Sequence, residues 1–594
     1  MNFGKTFLAA LLAVVAGSVV SFFFWLILLV GMAASLGSSE PAKVASGSIL
    51  KIDLSEVVTD APATNPFANF DPLSMSHTPQ LSLLSTLDAI QAAACDDRIR
   101  GIYLRMDGGG GFDSTAAMEE FRDALAEFRE ASGKFVVAYN DSYTQGKYYL
   151  ASVADKVYIH PQGGLDWTGL AQELMFYKGL MNKLGIKAEV FRPTACKFKS
   201  AVEPYILDRM SPENRAQMQQ LVNSVWHTIS GAVAESRGID YDALQTITDE
   251  LQVVLPEEAL AKGFVDGLLY EDQMDDVFAE LGVETTREGD YRFVTLNDYA
   301  GQLAPNLAFA KEPAVAIVYA NGSIVDGEGS DAVYGNTLAR QLAELRKDSD
   351  VAAVVLRVNS PGGSALASDV IWREMELLRA EKPVVVSMGG YAASGGYYIS
   401  CPADVIVADR TTITGSIGVF GLMYNLHDAM VDKLGITFDT VESNREASMS
   451  GFAPLSPVQR AAMMRGVDRV YETFTTHVAN GRNLSLDHVL EIAGGRVWTG
   501  DDAKEIGLID EYGGLTYAIG VAADKAGLGG DFRVVEQVEQ PEGLAAILSA
   551  LQVQVRTRIK CSELGLLTAD YERLRETLSQ EGIRMYCPYT FNLQ

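Results

Sequence analysis

The chain has 594 residues, 48% hydrophobic and 21% charged, enough apolar material for several packed cores, so two or more globular domains are expected. A formal net charge of −29 excludes a phosphate-backbone partner, because nucleic-acid binding needs a basic face that displaces counterions. The five cysteines, Cys95, Cys196, Cys401, Cys561 and Cys587, are scattered without Cys-x-x-Cys spacing; they read as small buried hydrophobes rather than as a disulfide framework or metal site.

From Phe7 to Leu36 no charged residue occurs. A helix of that length reaches roughly 45 Å at 1.5 Å per residue, more than a hydrocarbon core of about 30 Å requires. The apolar part of a secretory signal usually runs only about 7–15 residues, so the stretch reads as a retained transmembrane anchor even though Ala33-Ala34-Ser35 resembles a cleavage site. Lys5 is the only charge before it, which puts the N-terminus in the cytoplasm and everything after Ser38 across the membrane. Residues 1–44 are thus expected to be anchor and stalk.

Beyond the anchor the chain repeats itself at an offset of about 250 residues. Ile102-Tyr103-Leu104-Arg105 and the glycines 108–111 pair with Val354-Val355-Leu356-Arg357 and Asn359-Ser360-Pro361-Gly362-Gly363, each a buried strand running into a Gly-rich turn. Phe135-Val136-Val137-Ala138 pairs with Val384-Val385-Val386-Ser387, and Gln145-Gly146-Lys147-Tyr148-Tyr149 with Ser394-Gly395-Gly396-Tyr397-Tyr398. Strands at 157–159 and 405–407, Lys183-Leu184-Gly185-Ile186 and Lys433-Leu434-Gly435-Ile436, and the helix starts Ser211-Pro212 and Ser456-Pro457 continue the order. Amphipathic stretches such as Met118 to Phe128 and Leu338 to Leu345 lie between the strands, so the fold class is α/β with largely parallel pairing. The expected organisation is a first domain at 45–284, a linker at 285–313, a second domain at 314–540 and a helical tail at 541–594.

Ser394 stands where a strand ending near Met388 and a Gly-Gly-Tyr-Ala-Ala turn give way to a helix, with Gly395 and Gly396 behind it. The N–H of Gly395 and one from the Gly362-Gly363 turn would form an oxyanion hole. An isolated Ala-Ser-Gly-Gly is otherwise a helix N-cap with glycines for close packing. None of the histidines, His77, His160, His227, His427, His477 and His488, falls inside the Gly-rich motifs. The first half has Gln145 in place of Ser394, and the second has Met449 in place of Lys199, so each half keeps one group for catalysis. A lysine acts as base only when burial keeps it neutral; on spacing alone Lys197 and Lys199 both remain open.

The motifs Tyr391-Ala392-Ala393-Ser394-Gly395-Gly396-Tyr397 and Lys199-Ser200-Ala201-Val202-Glu203-Pro204 resemble those of signal peptide peptidase A in its long form, a family S49 peptidase, and the resemblance covers nearly the whole chain. It implies two tandem Clp-protease-like (crotonase-type) domains behind one anchor, Ser394 as nucleophile, Lys199 as general base and Ser416 as the serine that hydrogen-bonds the lysine. It further implies Gly363 and Gly395 as oxyanion donors and a Gly-rich loop at Gly362 whose backbone pairs with substrate. Signal peptides and other apolar peptides are the implied substrates, with no cofactor, in a homotetramer on the periplasmic side of a bacterial inner membrane. The C-terminal tail, including Met585-Tyr586-Cys587-Pro588, is expected not to touch the dyad. A crotonase-type acyl-CoA hydratase or isomerase and a non-catalytic membrane scaffold are the rival readings.

Overall fold

The computed structural model describes residues 44–538, apart from 55–56, 63–69, 72–75, 78–80, 109 and 304–311, together with 583–587, Gly17 and Ser21. Apart from Gly17 and Ser21, the anchor expected at Phe7 to Leu36 therefore lies outside the described residues, among which no helix is long and apolar enough to cross a membrane.

The first repeat contributes β1 (Ser48–Ile52), β2 (Ile99–Leu104), β3 (Phe135–Asn140), β4 (Lys156–Ile159), β5 (Lys187–Phe191), β6 (Gly267–Leu268) and β7 (Phe293–Thr295). All but β5 form one parallel sheet in the order β6-β4-β3-β2-β1-β7. The second repeat supplies β8 (Ala314–Asn321), β9 (Ile324–Val325), β10 (Val333–Tyr334), β11 (Val351–Ser360), β12 (Gly362–Ser364), β13 (Val384–Ala393) and β14 (Val405–Ala408). It continues with β15 (Ile413–Gly415), β16 (Phe420–Asn425), β17 (Val497–Thr499), β18 (Glu511–Tyr512) and β19 (Arg533–Gln537), and the last described strand is β20 (Ile583–Tyr586). Its main sheet carries the same parallel order, β18-β14-β13-β11-β8-β19. Alternation along these strands puts Val315, Ile317, Val355 and Val385 in one apolar layer and Ala316, Val318, Leu356 and Val386 in the other, as a sheet covered on both faces requires.

Helices fill the crossovers: α1 (Leu83–Cys95), α2 (Thr115–Ser132), α3 (Gln145–Ala151) and α4 (Pro212–Arg237) in the first repeat, α5 (Gly335–Lys347), α6 (Ala365–Arg379), α7 (Gly395–Ser400) and α8 (Pro457–Gly481) in the second. Local chemistry sets their ends. Ser211 and Ser456 accept from the backbone N–H of Asn214 and Gln459, with proline at the first helical position of α4 and α8. The αL glycine Gly133 stops α2.

Two expectations need correcting. The segment read as a linker without a counterpart contains β7 and a helix at Leu296–Leu303; β7 pairs with β1 as β19 pairs with β8, so it is the edge of the first sheet. The tail read as helical contains a strand, β20, while residues 541–582 and 588–594 lie outside the described residues.

A third sheet, β10-β9-β12-β20-β16-β5, crosses the repeats: β5 of the first runs antiparallel to β16 of the second. The repeats are also joined through charge. Arg357 Nη2 lies 2.6 Å from Asp60 Oδ1 and 2.6 Å from Glu120 Oε1, both first-repeat acids, and all three side chains are buried. Its repeat partner Arg105 instead meets Glu271 within its own half. Arg357→Met strands two buried carboxylates and is expected to cost about 3–5 kcal/mol, read as a lowered urea midpoint; an unchanged midpoint would show that this charge cluster does not stabilise the joined repeats.

Candidate active site

The strand expected to end near Met388 runs on to Ala393, because its second half finds a new neighbour: Tyr391, Ala392 and Ala393 pair with Ile413, Thr414 and Gly415. Ser394 follows with φ 58° and ψ −112°, a left-handed backbone that a non-glycine residue adopts only under constraint, and its N–H donates to Gly415 O at 2.8 Å. Although Ser394 occupies the N-cap position of α7, its side chain makes no cap hydrogen bond. The hydroxyl is turned elsewhere, which separates this serine from an ordinary cap.

It meets Lys199. Nζ lies 2.6 Å from Ser394 Oγ, 2.8 Å from Ser416 Oγ and 3.0 Å from Ser416 O, and all three residues are buried. A neutral amine has two N–H donors and one lone pair, so these partners satisfy it: N–H groups to the oxygens of Ser416, the lone pair to Oγ–H of Ser394. An ammonium has no acceptor to offer that hydroxyl. Burial drives the amine toward the neutral form, from the ordinary 10.5 down to about 8, with the neighbouring thiols of Cys587 and Cys196 acting weakly in the opposite sense. Lys197, two residues away, is exposed.

Several residues that the motif search passed over hold this lysine. Arg192 Nη1 donates to Lys199 O at 2.9 Å, and Phe198 N donates to Gly494 O at 3.0 Å. Gln217 Nε2 ties the turn to α4 through Phe198 O at 3.1 Å. Gly495, at φ +80°, lies so close that a methyl on it would stand 2.5 Å from Lys199 Cβ. Only an approach of two loops from different repeats makes that glycine legible, and no local pattern announces it.

The glycines converge as well. A Cβ on Gly395 would sit 3.0 Å from Gly363 N, and one on Gly362, at φ +95°, would sit 2.5 Å from Gly395 N, so the three backbones touch with no room for side chains. The backbones of Gly363 and Gly395 thus lie against each other next to Ser394. The equivalent place in the first repeat is closed: Gln145 Oε1 accepts from the N–H groups of Thr168 and Gly169 at 3.1 and 2.9 Å. Met449, opposite Lys199 in the repeat, is exposed. Among the described residues His160, His227, His427, His477 and His488 find partners elsewhere, in Tyr270, Tyr241, Phe452, Trp372 and Ile506 respectively.

The tail does reach the site, contrary to expectation. β20 lies antiparallel to β12, with Tyr586 opposite Gly362 and Met585 opposite Gly363, and Cys587 N donates to Pro361 O at 2.7 Å. It was missed because a four-residue strand at the far end of the sequence carries no signal of its partner.

Comparison with known sequences gives the family of the chain. The chain matches Peptidase family S49 over residues 128–284 and 376–529, once in each repeat, and Clp protease over residues 313–410. It is 35% identical over 584 residues to Protease 4 of Salmonella typhi, covering 95% of this chain and 92% of that one. To Protease 4 of Haemophilus influenzae it is 37% identical over 461 residues, 76% of this chain and 74% of the relative. To the chloroplastic serine protease SPPA of Arabidopsis thaliana it is 31% identical over 82% of this chain and 70% of the relative. Matched in both repeats and nearly end to end, the chain belongs to peptidase family S49 and is a serine protease.

Proposed function

We propose that the protein is a membrane-anchored signal peptide peptidase working through a Ser394/Lys199 dyad that spans the two repeats. The observation that carries this reading is the 2.6 Å approach of Lys199 Nζ to Ser394 Oγ in a buried site where the hydrogen-bond partners of the amine are all uncharged. Neutral Nζ takes the Oγ proton as Oγ bonds to the peptide carbonyl carbon, and the N–H groups of Gly363 and Gly395 hold the oxyanion. Nζ returns the proton to the departing amine as the C–N bond breaks, leaving an ester on Ser394. Water then gives a proton to Nζ and attacks the ester; Oγ regains the proton and the acid leaves. Ser416 orients Nζ throughout, and substrate backbone pairs along Gly362 and Gly363. No step calls for a cofactor.

The span from Phe7 to Leu36 anchors the chain, with Lys5 in the cytoplasm and both repeats on the periplasmic side of a bacterial inner membrane. Copies assemble as a homotetramer, and signal peptides and other apolar peptides are the substrates. The test is labelling by a fluorophosphonate. Attachment at Ser394 is expected, at a rate that rises with pH through about 8, where Lys199 gives up its proton. A label on another residue, or a rate flat across that window, would overturn the dyad.

A further inference from the structure

Gln217 lies near the start of α4, beside the inward-facing Met218 and Leu221, and its side chain is buried. A buried amide must find partners for its N–H groups and its carbonyl. Those of Gln217 come from both repeats. Nε2 donates to Phe198 O and to Ser200 Oγ, each at 3.1 Å, and these are the residues immediately before and after Lys199. It also lies 3.2 Å from Asn214 Oδ1. On its other side Oε1 accepts from Val497 N at 3.4 Å. A carbonyl at one end and an N–H at the other fix which way round the amide stands.

Val497 leads directly to both serines. It stands opposite Gly415 in the pairing of β17 with β15. Gly415 O accepts from Ser394 N at 2.8 Å, and Gly415 precedes Ser416, whose two oxygens hold Nζ. One amide therefore sits between the turn that carries the lysine and the strand that places the serines. Its orientation is set from within the lysine motif: Glu203 accepts from Ser211 Oγ at 2.6 Å and from Asn214 Nδ2 at 2.9 Å, which turns Asn214 Oδ1 toward Gln217. The equivalent place on α8, counted from the capping serines Ser211 and Ser456, is Ala462, which is exposed. The second repeat, with Met449 in place of the lysine, thus has no glutamine there either.

We propose that Gln217 is a positioning residue for the reaction, a strut across the repeats that sets how closely Lys199 Nζ approaches Ser394 Oγ. This role rests on the dyad reading above. Gln217 acts through its neighbours rather than on the reacting atoms. A shift of about 1 Å at a catalytic group costs on the order of 10² in rate. A turn that draws away from α4 also lets water reach the amine, whose low pKa comes from burial.

The test uses the full chain in detergent with Gln217→Met, which keeps the stem and removes the amide, and Gln217→Glu, which keeps the acceptor for Val497 N and removes the donors. Each is expected to lower kcat for an apolar fluorogenic peptide about 10²-fold, with KM within about twofold of the unaltered chain. The pH midpoint of Ser394 labelling by fluorophosphonate should rise from about 8 toward 10.5, in Gln217→Met through lost burial and in Gln217→Glu also because a carboxylate favours the ammonium. Gly238→Ala, at φ +62° beyond the far end of the same helix, is the control for stability: it should lower the melting temperature and leave kcat and the midpoint unchanged. An unchanged kcat in folded Gln217→Met, a loss of kcat with the midpoint still at about 8, or an equal loss in Gly238→Ala would each overturn the strut, while labelling of the unaltered chain at Ser394 keeps the dyad. Should Gln217→Met fail to fold, Gln217→Glu, which has the shape of the glutamine, decides by the same readings. No labelling of Ser394 in the folded unaltered chain would bring down the dyad, and the strut with it.

Discussion

Lys199→Met is expected to abolish hydrolysis of an apolar peptide, by about 10⁴–10⁶-fold, while leaving the protein as stable as the unaltered chain or more so. Methionine matches the length of the lysine stem and removes only the amine. That amine is fully buried, and its fall from 10.5 to about 8 corresponds to a cost of about 3 kcal/mol for holding the charged form in the folded state. The folded pKa is the lower one, so the cost is complete below pH 8 and disappears as pH rises toward 10.5. Two hydrogen bonds to Ser416 and one to Ser394, each worth about 1 kcal/mol net, are lost in exchange. The unaltered chain should therefore gain stability relative to Lys199→Met between pH 8 and 10.5, and activity should be unaffected by Lys197→Met, whose side chain is exposed. Retention of more than a small residue of activity in folded Lys199→Met would show that another group takes the proton. Melting curves and initial rates across pH check both halves of the expectation.

What the sequence disclosed divides along physical lines. Strands such as Val354 to Arg357 and Val384 to Ser387 are legible because a parallel strand covered on both faces must be continuously apolar, and the Ser-Pro pairs at 211 and 456 are legible because capping is local chemistry. Duplication made the two main sheets readable together. Long-range pairing was not readable. The choice between Lys197 and Lys199 depends on a turn folded against the Gly494-Gly495 loop nearly 300 residues later, which buries one lysine and exposes the other. The extension of β13 past Met388 depends on β15 arriving beside it, and the membership of β5, β16 and β20 in one sheet joins segments from both repeats and the tail. Gly-rich runs mark where backbone comes close; they do not say to what.

Gly495→Ala is the sharpest test of that cross-repeat approach and is expected to lower kcat about 10²-fold with little change in KM. The added methyl would stand 2.5 Å from Lys199 Cβ and 2.8 Å from its Cα and N, so no rotamer change relieves the clash and one backbone must retreat. A shift of about 1 Å at a catalytic group costs on the order of 10² in rate. The same movement loosens Ser416, since Gly495 N donates to Ile417 O at 2.8 Å and Ser416 N to Arg496 O at 2.7 Å. At φ +80° the substitution also carries left-handed strain of about 1–2 kcal/mol, which lowers the melting temperature by itself. Gly494→Ala separates the two effects. Gly494 is also left-handed, at φ +69°, but its methyl would meet Ala195 O at 2.9 Å rather than the lysine. It should share the loss of stability and keep most of its turnover. Equal losses of kcat in the two variants would mean that strain in the loop, and not displacement of Lys199, governs the rate; an unchanged kcat in folded Gly495→Ala would mean that the reaction does not depend on where this lysine stands.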